Sequence, residues 1–396
     1  MASYFSRVKL VYTIVALGIA ATACSSRTSC PKGQDAEKYV KFLDRGRDLV
    51  TKGDYVNAID EFSKAIELKP TLPEAYYERA VAREGSEDYK SALDDLKQAQ
   101  HLGLSSPDAL RAEGRILMAL RQYEDAVDVF RVLVDTGPRA ELRQSLYALA
   151  EAKFGMKEWA GAAMTYSRLI GLDPMDPDAH VGCGIASANC GVNLAALKNF
   201  SRAIELSPDQ AQTYVYRGWI YLRLKELDAA MADFDEAIKL SPSLLADVTL
   251  SRGGVHRLRG EYERAVREYD EGLRLAPDRK RSYVARGYCL FQLKRYAQAI
   301  ESLDKAIERD NGLVTAYRYR GLAQAALGRH DSAIKDYDKG LELAPQYAEM
   351  HLDRAASYEA IGEKEKGKKD REQYQTIMSS KDEASKMDTE DAELEI

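Results

Sequence analysis

Side chains able to do chemistry are few and scattered along the 396 residues. The five histidines (His101, His180, His256, His330 and His351) fall far apart, and neither Cys183 nor Cys190 has a second cysteine at metal-ligand spacing. Carboxylate pairs such as Asp94-Asp95 are of the type used in general acid–base work, but they read more simply as a charged, solvated helix face. Cys183 and Cys190 lie seven residues apart, about two helical turns, too far for a disulfide within one helix; they read as small core residues. There is no Gly-rich phosphate loop, no H-E-x-x-H and no G-x-S-x-G elbow. The expectation is a protein that is not an enzyme and carries no cofactor and no metal. A formal net charge of −6, without any Lys/Arg cluster interleaved with aromatics, also argues against nucleic acid as a partner.

One cysteine stands in a context that suggests modification. Arg7 and Lys9 precede an apolar run from Leu10 to Ala20, and Ala21-Thr22-Ala23-Cys24 follows. A basic start, an apolar run too short to span a bilayer and small residues at the break predict an export signal over 1–23. Residues 21–24 resemble a bacterial lipobox, with Cys24 as the acylated residue, although Ala21 stands where such a motif usually has Leu. The same residues satisfy the A-x-A pattern of ordinary signal cleavage. Two fates stay open: a lipid anchor at Cys24, on the periplasmic side of the outer membrane, or a soluble periplasmic or secreted protein. Residues 24–38 read as a tether, with Cys30 unassigned.

The rest of the chain is a repeat. Alanines recur at Ala58, Ala92, Ala126, Ala162, Ala196, Ala230, Ala265, Ala299 and Ala333, in steps of 34 residues broken once by 35 and once by 36. Twelve residues before most of them stands a glycine, such as Gly46, Gly218 and Gly321, and four residues after each stands a large apolar residue. Proline follows most at twelve residues, as at Pro208 and Pro242. Apolar residues at i, i+3, i+4 and i+7 make each half of the unit an amphipathic helix, and the small residues predict a close approach of two helix backbones. One such hairpin cannot cover its own apolar face, whereas stacked neighbours cover each other.

This pattern resembles the tetratricopeptide repeat family, most specifically in the segments YDEGLRLAP (269–277) and YDKGLELAP (337–345). The units fall at 39–72, 73–106, 107–138, 143–176, 177–210, 211–244, 246–279, 280–313 and 314–347. Residues 348–380 read as a degenerate tenth unit or capping helix, and 381–396 as an acidic disordered tail. The resemblance implies an all-α solenoid, a right-handed superhelix of about nine antiparallel helix hairpins, with the first helix of each lining a concave groove. The second, fifth, ninth and twelfth residues of each unit then face the groove. They make Tyr147, Val181, Ile185, Val215, Trp219, Leu222, Val284, Tyr288 and Phe291 the candidate partner-binding residues. Either these side chains await a bound segment, or they pack sideways on neighbouring first helices. Some family members grip a C-terminal carboxylate with Lys, Asn and Arg of the first three units; here the Asn and Lys members are missing, which does not support that role.

What remains is a binding scaffold of the cell envelope that holds a peptide segment or helix of another protein in its groove. The alternatives are a chaperone-like holdase for exported clients and a permanent structural subunit of a secretion or surface assembly complex.

Overall fold

The computed structural model describes the backbone of residues 34–394 and the side chains of 35–380. The export segment, Cys24 and Cys30 lie outside these residues. Among the described residues the regular elements are all helices. The chain divides into two compact units after Val192. The first holds α1 Gln34–Thr51, α2 Tyr55–Leu68, α3 Pro73–Gly85, α4 Tyr89–His101, α5 Pro107–Ala119, α6 Tyr123–Thr136, α7 Leu142–Gly155, α8 Trp159–Leu172 and α9 Pro177–Asn189. The second holds α10 Asn193–Leu206, α11 Ala211–Arg223, α12 Leu227–Leu240, α13 Leu245–Leu258, α14 Tyr262–Leu275, α15 Lys280–Gln292, α16 Tyr296–Arg309, α17 Val314–Ala326, α18 His330–Leu343, α19 Ala348–Ala360 and α20 Lys364–Leu394. Odd-numbered helices are the first of each repeat and even-numbered helices the second.

Each hairpin turns at one left-handed residue. Gly53, Glu87, Arg121, Lys157, Gly191, Lys225, Gly260, Lys294, Gly328 and Gly362 all have φ between 58° and 86°. The residue after each donates its N–H to a carbonyl five positions back, as Asp54 does to Leu49 and Glu226 to Tyr221, both at 2.9 Å. This closes the first helix in a Schellman-type cap. Where the repeat carries extra residues, short 3-10 turns take them up, at Arg139–Glu141 and Pro242–Leu244.

The recurring alanines of the second helices are fully buried. The recurring glycine of the first helix makes room for a side chain of the second helix, usually a ring and at Gly287 the Leu303 side chain, not for a second backbone. A Cβ on Gly46 would stand 2.4 Å from the Phe62 ring, and one on Gly218 would stand 2.6 Å from Phe234. The second repeat keeps its phase with alanine at this place, and Ala80 is buried in one core cluster with Leu96.

A ladder of arginines links the hairpins. Arg79 on α3 grips Asp95 on α4 through Nε (2.8 Å) and Nη2 (2.7 Å), and reaches Ser63 Oγ on α2 at 3.1 Å. On α11, Arg217 likewise grips Asp233 and reaches back to Ser201. Arg320 joins Asp336 to Asp304, and Arg354 joins Asp370 to Asp338. In each case one partner lies sixteen residues ahead and the other sixteen behind, so a single side chain bonds the second helix of its own hairpin and that of the preceding one. Asp95, Asp233, Asp336 and Asp370 are buried. Asp95 is therefore not part of a solvated face: the sixteen-residue offset turns it toward Arg79. At Glu113, Leu149 and Cys183 the corresponding place has no guanidinium and the ladder lapses. Buried pairs like these fix register more than they add net stability, since desolvation offsets most of the attraction.

Both ends differ from the sequence reading. α1 starts at Gln34, inside the stretch read as tether, with Ala36 buried. α20 continues to Leu394, so the backbone is helical across much of the acidic stretch read as disordered. Residues 381–394 contain neither glycine nor proline and several strong helix formers. Ile377 and Asp370 of α20 are buried against the repeat before it.

Candidate protein-interaction face

The first helices carry a second register of contacts, about 31 residues apart, which joins each first helix to the next. In the first compact unit these contacts are ionic. Arg47 reaches Glu78 at 2.7 Å, and Arg115 holds Glu84 with two bonds of 2.8 Å. Arg111 bridges Asp108 and Glu141. Tyr147, a predicted site residue, donates its hydroxyl to Asp176 Oδ2 at 2.6 Å, beside Arg143 at 2.7 Å. Burial works against a charged Asp176, but Tyr147, the Ala179 N–H and Arg143 together hold its pKa below the usual carboxylate range. Asp176 in turn caps α9 at Asp178 and Ala179. Tyr147 thus orients a helix cap.

In the second compact unit ionic contacts of this kind persist, as between Arg279 and Asp247 and between Arg318 and Asp353, and aromatic ones join them. Trp219 on α11 donates its indole N–H to Ser251 Oγ on α13 at 2.8 Å and rests against Tyr216 at 5.8 Å. Tyr288 on α15 meets Tyr319 on α17 edge-on at 5.1 Å and Tyr262 at 6.1 Å. Phe291 packs on Tyr296. The sideways reading therefore holds for Trp219 and Tyr288, both of which bridge neighbouring first helices.

The nine predicted residues divide by exposure. Val181, Ile185 and Val215 are buried and present nothing to a partner. Val215 belongs to the core around Phe234 and Val248. Tyr147, Leu222, Val284, Tyr288 and Phe291 are half-buried, and Trp219 is 37% exposed. Trp219 thus has one edge fixed and one face open, as suits an anchor in an interface.

Apolar content alone passed over Arg257, on the twelfth position of its repeat, and Glu151, on the ninth of another. The 31-residue offset was the available signal for Arg257, since it leads from Arg257 to Tyr288 to Tyr319.

Three of the five histidines have structural partners. His180 Nε2 lies 3.2 Å from the Pro174 carbonyl and His351 Nε2 3.1 Å from that of Pro345. His256 Nδ1 lies 2.7 Å from Glu261. Cys183 and Cys289 are buried thiols, with Cys289 pushed up to about 12 by burial. Among the described residues no group of three His, Cys, Asp or Glu could hold a metal ion, and no helix is long and apolar enough to cross a membrane.

Tetratricopeptide repeat families match residues 46–85, 77–141, 144–174, 193–244, 255–314 and 314–347. The small glutamine-rich tetratricopeptide repeat-containing protein 2 of Mycosarcoma maydis is 31% identical over 122 residues, which is 31% of this chain and 35% of that protein. This chain thus spans about a third of that relative. The C-terminal part of a repeat protein from Cytophaga hutchinsonii superposes with a TM-score of 0.52 at 17% identity, over 61% of this chain and 98% of the other. A chain of an APC/C hetero-tetramer gives 0.50 at 16% identity, over 94% and 79%. At these identities the two structures show the fold alone.

Proposed function

The chain belongs to the tetratricopeptide repeat family, and on that premise we propose that it binds an extended segment of another protein along the first helices α11 to α17. Proteins of this family act as protein–protein interaction scaffolds and are generally not catalysts. The observation that carries the reading is Trp219, held by Ser251 and Tyr216 with more than a third of its surface open. An aromatic ring already fixed in place loses little freedom when it becomes a contact, which favours affinity. Leu222, Val284, Tyr288 and Phe291 extend the half-buried apolar surface on the same helices.

The test is photo-crosslinking from position 219 in cells, with position 56, on exposed Val56 of a second helix, as the comparison. A partner captured at 219 and absent at 56 should bind the purified protein saturably, and Trp219→Ala should weaken that binding. Equal capture at both positions would point instead to unselective holding of unfolded clients. A partner found only from second-helix positions would move the function to the opposite surface.

We further propose that the protein works in the cell envelope after export, tethered through an acylated Cys24. Support comes from the order of basic, apolar and small residues in the first 24 positions. Labelling with a radioactive fatty acid checks it: label should enter the wild type and be absent from Cys24→Ser.

A further inference from the structure

We propose that Arg257 receives an acidic side chain of the bound partner segment, making this face selective for peptides with an Asp or Glu among apolar residues. This rests on the scaffold reading above and adds to it the charge of the partner.

Three arginines lie at or just past the C-terminal half of α13, and two have carboxylates of their own. Arg252 pairs with Asp235 at 3.1 Å and Glu268 at 2.9 Å, and Arg259 pairs with Asp228. Arg257 has no carboxylate within ion-pair distance among the described residues. Its Nε is buried there with no acceptor. Its charge opposes the rise in pKa that burial causes at Tyr269, Cys289 and Tyr319, which places it among these side chains. A half-buried guanidinium at such a place keeps its desolvation cost and lacks a countercharge.

The register shows where that countercharge would stand. In the first compact unit, Glu84 on the twelfth position of its repeat meets Arg115 thirty-one residues on, and the ion pair is complete within the chain. Thirty-one residues on from Arg257 stands Tyr288, and thirty-one further stands Tyr319, whose rings meet at 5.1 Å. The chain thus supplies a cation and an aromatic wall at this place, and no acid. A carboxylate accepting from a guanidinium makes a charge-assisted bond, and the tyrosine rings suit the apolar neighbours of that acid in an extended segment.

The experiment is selection of displayed random peptides on the full-length wild type, on Arg257→Gln and on Arg257→Lys, with folding of each checked by thermal melting. Wild type should enrich peptides sharing one Asp or Glu at a fixed distance from an aromatic or Leu. Changing that acid to its amide should weaken binding at least about tenfold. Arg257→Gln should lose the acid preference, and Arg257→Lys should keep it at lower affinity. In the wild type, the Nε–Hε NMR resonance of Arg257 should shift on adding the acidic peptide and not its amide counterpart. Enriched peptides without a shared acid, or an Arg257 resonance that does not move, would overturn the inference and leave the scaffold reading standing. No enriched peptide on any of the three proteins would overturn both.

Discussion

Arg217 and Asp233 meet through two near-parallel hydrogen bonds, 2.8 and 2.7 Å long, across the interior of one hairpin. Asp233 is buried, and Arg217 is further flanked by the rings of Tyr214 and Tyr221. Removing one partner strands the other in a poorly solvated site. Asp233→Ala should therefore lower stability by about 3 kcal/mol. Replacing both residues by apolar ones of similar size should recover most of that loss. Urea unfolding of the two single variants and the double variant checks this, and additive losses would count against the pairing.

Glycine at the left-handed turn position is worth testing where another residue stands. Lys225 has φ 63°, while Gly260 occupies the equivalent place one repeat later at 76°. Lys225→Gly should raise stability by about 0.5–1 kcal/mol, because the side chain no longer opposes the left-handed conformation. Gly260→Lys should lower it by a similar amount. Melting temperatures that move the other way would show that the lysine side chain compensates locally.

A methyl group at Gly218 has no room while Phe234 holds its place. Gly218→Ala should cost about 1–3 kcal/mol by forcing that ring aside. In the second repeat Ala80 and Leu96 share one core cluster, which suggests the remedy. Gly218→Ala combined with Phe234→Leu should be less destabilised than the sum of the two single changes, as a double-mutant cycle in denaturant would read.

Burial lifts the carboxyl of Glu151 from its ordinary 4.5 to about 7. A folded-state pKa above the unfolded one means that the folded protein binds this proton more tightly. The contribution is fully present below about pH 4 and is lost as pH rises through 7. Glu151→Gln keeps the neutral form at every pH. At pH 4 the variant should match the wild type, and at pH 8 it should be more stable by about 2 kcal/mol, less whatever water relieves at this partly open site. Thermal melting at the two pH values decides it.

The period of 34 residues, the alanine and glycine places and the hairpin order were all legible in the sequence, because close packing between the two helices of a hairpin allows few residue types at those places. What escaped was the pairing of side chains. Asp95 looks like any surface acid until its offset of sixteen from Arg79 is noticed, and Arg257 is hidden by a search for apolar residues alone. Val181, Ile185 and Val215 have the same groove-facing register as Trp219, yet they are buried. Register along a helix does not report how closely the next helix approaches.

The arginine ladder also bears on how such a chain changes length. Arg320 reaches sixteen residues back to Asp304, and Arg286 reaches sixteen back to Asp270. Excising residues 280–313 in frame would bring Asp270 to the place that Asp304 holds before Arg320, with Asp336 unmoved ahead of it. The bond severed at the cut is remade by an equivalent residue, and the same holds when a repeat is copied in. Gain or loss of a whole hairpin here leaves no orphaned charge, so repeat number in this part of the chain is free to drift over evolutionary time without each change first needing a compensating substitution.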